Sequence, residues 1–185
     1  TLKNEQVLKD AFEYAKTNNK PVHFLGLVSN GGVHSHIDHL KALIKAADES
    51  GVQQSFVHAF TDGRDVDPKS GKGFLVDLDQ FCSDKKTKLA TVIGRYYAMD
   101  RDKRWERVKM AYDVLVNAEG EKTQNIGEAM QNSYDEGVTD EFIKPLVMTD
   151  SNNEPLTKIK DGDVIIFFNF RTDRGRELTQ VLSQM

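Results

Sequence analysis

A chain of 185 residues, 38% hydrophobic and 29% charged, is long enough to bury one real core, too rich in apolar residues for disorder and too broken by charge to span a membrane. Its net charge of −4 argues against a nucleic-acid-binding face, so any positive site is a local feature on an acidic body. Cys82 is the only cysteine, which excludes an internal disulfide and a thiolate metal cage and is compatible with the cytoplasm. Nothing reads as a signal or transit segment. The chain opens on Thr1 and stops at Met185 inside helical patterns, which predicts a piece of a longer protein.

From Asn4 the apolar positions Val7, Leu8, Ala11, Phe12 and Ala15 recur at helical spacing until Asn18-Asn19-Lys20-Pro21 break them. The Val22 to Val28 run predicts a strand, Gly31-Gly32 a loop, and Ile37, Leu40, Leu43, Ile44 and Ala47 one face of a helix closed at Gly51. The unit recurs. Phe56 to Phe60 leads through Gly63 and Pro68 to a helix near Gly73 to Asp84, and Leu89 to Ile93 leads to a helix from Asp102 to Ala118. A helix follows near Ile126 to Glu136, then an edge strand at Pro145 to Met148, where proline suits an edge, and a turn at 151–155. Val164 to Phe170 is apolar enough for the middle of a covered sheet, and a last helix covers it. Strands alternating with helices predict parallel pairing with right-handed crossovers, hence a three-layer α/β/α domain with a largely parallel, mixed sheet over residues 1–185.

In such a sheet the loops leaving the strands share one edge. Of the eight arginines, Arg64, Arg95, Arg101, Arg104, Arg171 and Arg174 lie in or beside those loops. Planar, permanently charged forks suit a small ligand carrying carboxylate and phosphate. His34 follows two glycines at a strand end and reads as a ligand contact. His36, His39 and Asp38 could suggest a metal, but the spacing is loose and capping of the helix start is the simpler reading. Ser29-Asn30-Gly31-Gly32 fits an anion cradle and a tight turn equally. Neither Ser29 nor Ser35 sits in a nucleophile elbow. In Asp62-Gly63-Arg64-Asp65, Asp65 is placed to be a general base, and an Asx turn with surface ion pairs accounts for the same spacing. Around Arg95 and Arg101, Tyr96 and Tyr97 are expected to wall the pocket and Asp100 and Asp102 to orient the guanidiniums; Trp105 is expected in the core and Arg107 in solvent. Arg171 and Arg174, three apart at a helix entry, can face one ligand.

LVSNGGVHSHIDHL, HAFTDGRDVDP, IGRYYAMDRDKRWERV and IIFFNFRTDR resemble, in order and along nearly the whole chain, the cofactor-independent (2,3-bisphosphoglycerate-independent) phosphoglycerate mutases. Asn30 and Gly175 depart from the usual residues. The likeness covers only the phosphotransferase, or substrate-binding, domain of those two-domain enzymes. It implies interconversion of 3-phosphoglycerate and 2-phosphoglycerate in glycolysis through a phosphoserine and two divalent metals, usually manganese. Nucleophile and metal ligands then belong to a phosphatase-like domain against which this chain docks, so this chain holds no metal and is inactive alone, and the full enzyme is a monomer. By motif, His34, Arg64, Asp65, Arg95, Arg101, Arg171 and Arg174 match the substrate-binding residues, with Asp65 the acid/base at the glycerate hydroxyl. A stand-alone anion-binding module, or part of another metal-dependent phosphohydrolase, are the other readings the residues allow.

Overall fold

The computed structural model describes residues 5–184. Its elements are α1 (Gln6–Thr17), β1 (Val22–Leu27), α2 (Ile37–Glu49), β2 (Ser55–Thr61), α3 (Gly71–Cys82), β3 (Thr87–Gly94), α4 (Arg95–Ala98), α5 (Trp105–Val116), β4 (Glu121–Thr123), α6 (Ile126–Asp135), a 3-10 turn (Asp140–Phe142), β5 (Leu146–Met148), β6 (Val164–Phe167) and α7 (Arg176–Leu182). The expected helix start at Asn4 lies outside the described residues.

The six strands form one sheet in the order β4-β5-β3-β2-β1-β6. β6, β1, β2 and β3 run parallel, while β5 is antiparallel to β3. Residues on opposite faces of every strand but β4 feed two cores. Phe24, Val57, Ala59, Leu89 and Val92 meet α1, α2, α3 and α6 on one face. Leu25, Leu27, Phe60, Ile93 and Val147 meet α4, α5 and α7 on the other. This is the three-layer α/β/α arrangement. Fully buried side chains such as Phe24, Phe60, Leu40 and Leu75 contribute about 1.5–3 kcal/mol each.

Two strand placements differ from the sequence reading. Val164–Phe167 is not central: β6 pairs only with β1 and its residues are half-buried. An apolar run fits an edge equally well when one helix, here α7, covers it. Pro145–Met148 is not the edge, because β4 lies outside β5. Glu121-Lys122-Thr123 has no apolar residue to announce a strand, and it is held by pairing to β5 and by hydrogen bonds to Thr149 and Asn153 beyond it. α5 starts at Trp105 rather than Asp102, since Lys103 takes a left-handed conformation (φ 57°) that ends the preceding loop. α3 starts two residues earlier than expected, at Gly71, and ends at Cys82.

Two glycines set where chain passes over the strand ends. A Cβ at Gly26 would stand 2.8 Å from the Phe168 ring and Asn169 Oδ1, so the segment after β6 folds directly over β1. Asn169 then accepts from the Leu27 N–H at 2.9 Å. A Cβ at Gly94 would stand 2.3 Å from the Glu141 carbonyl oxygen, and the Gly94 N–H donates to Ile143 at 2.7 Å. The Asp140–Phe142 turn is thereby seated at the end of β3, where it becomes a wall of the site.

Candidate functional site

The carboxyl ends of β1, β2, β3 and β6 lie along one edge of the sheet, as parallel topology dictates. A cleft of about 380 Å³ there is walled by Arg64, Arg95, Arg101, Arg104, Arg107 and Arg174, with Tyr96, Met99, Asp100, Asp102, Glu141 and Phe142 between them. A larger hollow of about 520 Å³ sits at the opposite ends of the strands and contains none of the expected residues; its walls, with surface lysines and prolines, carry no comparable convergence of charge.

Arg95 is the hub. Its side chain is 3% exposed, and Nη1 donates to Asp62 Oδ1 at 2.7 Å and Asp65 Oδ2 at 2.6 Å. Asp62 is fixed in turn: it accepts from Ser29 Oγ at 2.7 Å and from the Arg64 and Asp65 N–H groups at 3.1 and 3.0 Å. Burial alone would raise the Asp62 carboxyl; those hydrogen bonds outweigh it, and the group lies below its ordinary value. Asp62 is thus the Asx cap the spacing suggested. Asp65 is half-buried beyond it, with one oxygen on Arg95 and a side chain 19% exposed. The Asx-turn reading of the Asp-Gly-Arg-Asp motif thus holds at Asp62, and Asp65 is the acid of the motif that is paired with Arg95 and partly exposed.

His34 is buried 4.0 Å from Asp65 Oδ2 and 4.0 Å from Asp173 Oδ1. Its Nδ1 finds no hydrogen-bond partner among the described residues. Burial, then the Arg95 charge, holds it below the usual histidine range, despite the nearby carboxylates. A neutral imidazole with an unused nitrogen is suited to exchange a hydrogen bond with a ligand. Asp173 gathers the outer arginines: Arg171 Nε stands at 2.9 Å and Arg101 Nη1 at 3.2 Å. Arg174 Nη1 donates to the Met99 carbonyl at 3.2 Å, and burial with the charges of Arg101 and Arg95 lowers its pKa. Arg64 reaches Glu141 at 3.3 Å, with a side chain still 61% exposed.

The remaining expectations divide. His36 caps α2 by accepting from the Asp38 N–H at 3.2 Å, and His39 is exposed, edge-on to Phe170. Ser29 and Ser35 donate to Asp62 and to the Leu27 carbonyl. A Cβ at Gly31 would stand 3.2 Å from the Asp65 Cβ and 3.3 Å from Val66, and the Gly31 N–H lies 3.4 Å from Ser29 Oγ, so this loop turns tightly against the Asp62–Val66 segment. Tyr96 lines the cleft, but Tyr97 packs into the core beneath α5. Asp100 and Asp102 orient Arg104 and Arg107, not Arg95, which pairs with Asp62 and Asp65, or Arg101, which pairs with Asp173. Trp105 is 44% exposed, since it opens α5 and lines a surface groove rather than the core. Arg107 is not solvated: it stacks on Tyr96 with the guanidinium carbon 3.6 Å from the ring centroid and reaches Asp100 at 3.6 Å.

Sequence reasoning missed Arg107, Glu141, Phe142 and Asp173. Asp173 was visible as the acid between the two arginines of Arg-Thr-Asp-Arg. Glu141 and Phe142 lie on a turn distant in sequence, and the signal for it was Gly94, which tolerates the close approach.

The family model described as BPG-independent PGAM N-terminus (iPGM_N) matches residues 1–185. The 2,3-bisphosphoglycerate-independent phosphoglycerate mutase of Flavobacterium psychrophilum is 60% identical over 184 residues, covering 100% of this chain and 36% of that protein. Those of Flavobacterium johnsoniae and Bacteroides fragilis are 62% and 58% identical, over 36% and 35% of their lengths. The chain therefore spans about a third of the relatives it matches. Among solved structures, Leishmania mexicana phosphoglycerate mutase, determined at low cobalt concentration, superposes with a TM-score of 0.86 at 31% identity, over 94% of this chain and 33% of that one. On these matches and this fold, the chain belongs to the BPG-independent phosphoglycerate mutase family, within the part its model calls the N-terminus.

Proposed function

We propose that this chain is the substrate-binding domain of a two-domain cytoplasmic enzyme that interconverts 3-phosphoglycerate and 2-phosphoglycerate. The observation that carries the reading is Arg95, buried and shared by Asp62 and Asp65 on the floor of a cleft walled by five further arginines. Arg64, Arg95, Arg101, Arg171 and Arg174 hold the carboxylate and phosphoryl oxygens of the substrate, and the unused nitrogen of His34 contacts it between Asp65 and Asp173. Asp65, the acid of the Arg95 pair that meets solvent, takes and returns the proton of the glycerate hydroxyl. Holding glycerate while its phosphoryl group waits elsewhere makes the return step effectively intramolecular and keeps water out.

The serine that carries the phosphoryl group and the two divalent ions, manganese by family likeness, belong in this proposal to the rest of the polypeptide, on which the cleft docks. The residues here do not fit the ions: among the described residues no three His, Cys, Asp or Glu side chains are placed to hold one. No step assigned to this chain runs through a metal.

Asp65→Asn in the full-length enzyme tests the assignment. The amide keeps the size of the acid and removes the base, so mutase turnover falls by roughly 10²-fold or more, while the phosphoserine still forms. Near-normal turnover would return Asp65 to a purely structural role beside Arg95.

A further inference from the structure

The loop after α4 carries Arg101 and Arg104 into the cleft wall, and two acid side chains hold its backbone. Asp100, its side chain 2% exposed, accepts at Oδ2 from the N–H groups of Asp102 at 3.0 Å and Arg104 at 2.9 Å. The N–H between them, on Lys103, donates to Glu177 Oε1 of α7 at 2.9 Å. Three successive amides thus end on two carboxyl groups. Lys103 itself is at φ 57°, a conformation lysine keeps only where its surroundings impose it.

The other Glu177 oxygen, Oε2, is buried and has no acceptable donor among the described residues. It faces the Asp100 carboxyl, and two acceptors in contact are satisfied only when one of them carries a proton. The surroundings decide which one. Arg107 and Arg104 face Asp100 at 3.6 and 4.0 Å and favour its charge. Glu177 is raised by burial and by Asp100, with Asp102 adding a like charge, against the Lys103 N–H, which favours its ionised form. Of the two, Glu177 is the carboxyl held above its ordinary value and Asp100 the one held below, so a proton shared by the pair sits on Glu177.

We propose that Glu177 is a positioning residue: protonated, it donates to Asp100 and locks residues 100–104 so that Arg101 and Arg104 stay aimed into the cleft, and ionised, it repels Asp100 and frees the loop. Its consequence for substrate rests on the mutase reading; the clamp itself does not.

The test uses the full-length enzyme, with KM and kcat for 3-phosphoglycerate followed against pH and amide exchange followed at Asp102, Lys103 and Arg104. In the wild type KM rises by about tenfold as pH climbs through the Glu177 titration, the loss of one charge-assisted hydrogen bond, with kcat less affected. Glu177→Gln still accepts from Lys103 and donates permanently to Asp100, so it keeps the low KM and slow exchange at every pH. Glu177→Ala has the high KM and fast exchange throughout. Glu177→Gln that follows the wild-type pH profile, or Glu177→Ala with unchanged KM and exchange, overturns the proposal. A wild type that does not turn over phosphoglycerate at all would instead sink the mutase reading, and the exchange measurements would still decide the clamp.

Discussion

Arg95 and Arg101 illustrate how little the residue type says about energetic weight. Both are arginines of one cleft, yet the Arg95 side chain is 3% exposed between two acids and the Arg101 side chain is 48% exposed beside Asp173. Removing Arg95 strands Asp62, whose side chain is 2% exposed, as a buried charge without its cation. Arg95→Ala is therefore expected to cost about 3–5 kcal/mol of folding stability, whereas Arg101→Ala costs less than about 1 kcal/mol. Urea unfolding midpoints of the two variants separate them; equal losses would show that Arg95 binds without supporting the fold. A residue that does both is expected to be intolerant even of lysine, which cannot reproduce the planar fork.

At the scale of elements, a buried polar chain ties the parallel strands together. Thr91 of β3 stands 2.8 Å from His58 Nδ1, His58 Nε2 stands 2.9 Å from His23 Nδ1, and His23 Nε2 stands 3.0 Å from Asp163 before β6. With the Asp163 carboxylate accepting, one donor direction satisfies every atom: threonine to His58, His58 to His23, His23 to aspartate. Both imidazoles are then neutral. Burial lowers both, His58 more strongly, with the neighbouring His23 adding to its shift. The sign follows: below about pH 6.5 the unfolded chain binds protons that the folded one refuses, so stability falls as pH drops, by up to about 1.4 kcal/mol per unit for each histidine. Urea midpoints taken from about pH 7.5 to about pH 5.5 should fall in the wild type and fall less steeply in His58→Gln; parallel curves would exclude the pair as the acid-sensitive element. These histidines were read in the sequence only as parts of apolar strands. β1, β2 and β3 were legible because their cores alternate across two helix layers, and α2 because its apolar spacing is regular. β4 and the order of β5 and β6 were not, since hydrogen bonds hold β4 without an apolar residue of its own and an apolar run does not tell an edge from a centre. The site followed the same division. Residues in strand-end loops were legible from topology, while partners brought across from other loops, Glu141 and Glu177 among them, depend on packing.

For the whole molecule, the arginine cleft on a body of net charge −4 makes a local field that attracts a small anion without making the surface basic. Asp62, Asp65, Asp173 and Glu141 already occupy part of that field. An anion entering the cleft must therefore compete with internal carboxylates. The purified 185-residue chain is expected to bind 3-phosphoglycerate or sulfate weakly, through charge-assisted contacts of about 1.5–3 kcal/mol each that are partly spent on displacing those acids. Titration followed by NMR should shift amides near His34, Arg95 and Arg171, and the shifts should fade as salt shortens the screening length toward about 3 Å at 1 M. The same preparation, given manganese and 3-phosphoglycerate, should show no turnover, because among the described residues no three His, Cys, Asp or Glu side chains are placed to hold an ion, and the proposed reading puts the phosphoryl carrier on the rest of the polypeptide. Metal-dependent turnover would place the whole reaction inside this chain, and shifts confined to the outer faces of α1 and α6 would move the anion site away from the strand ends.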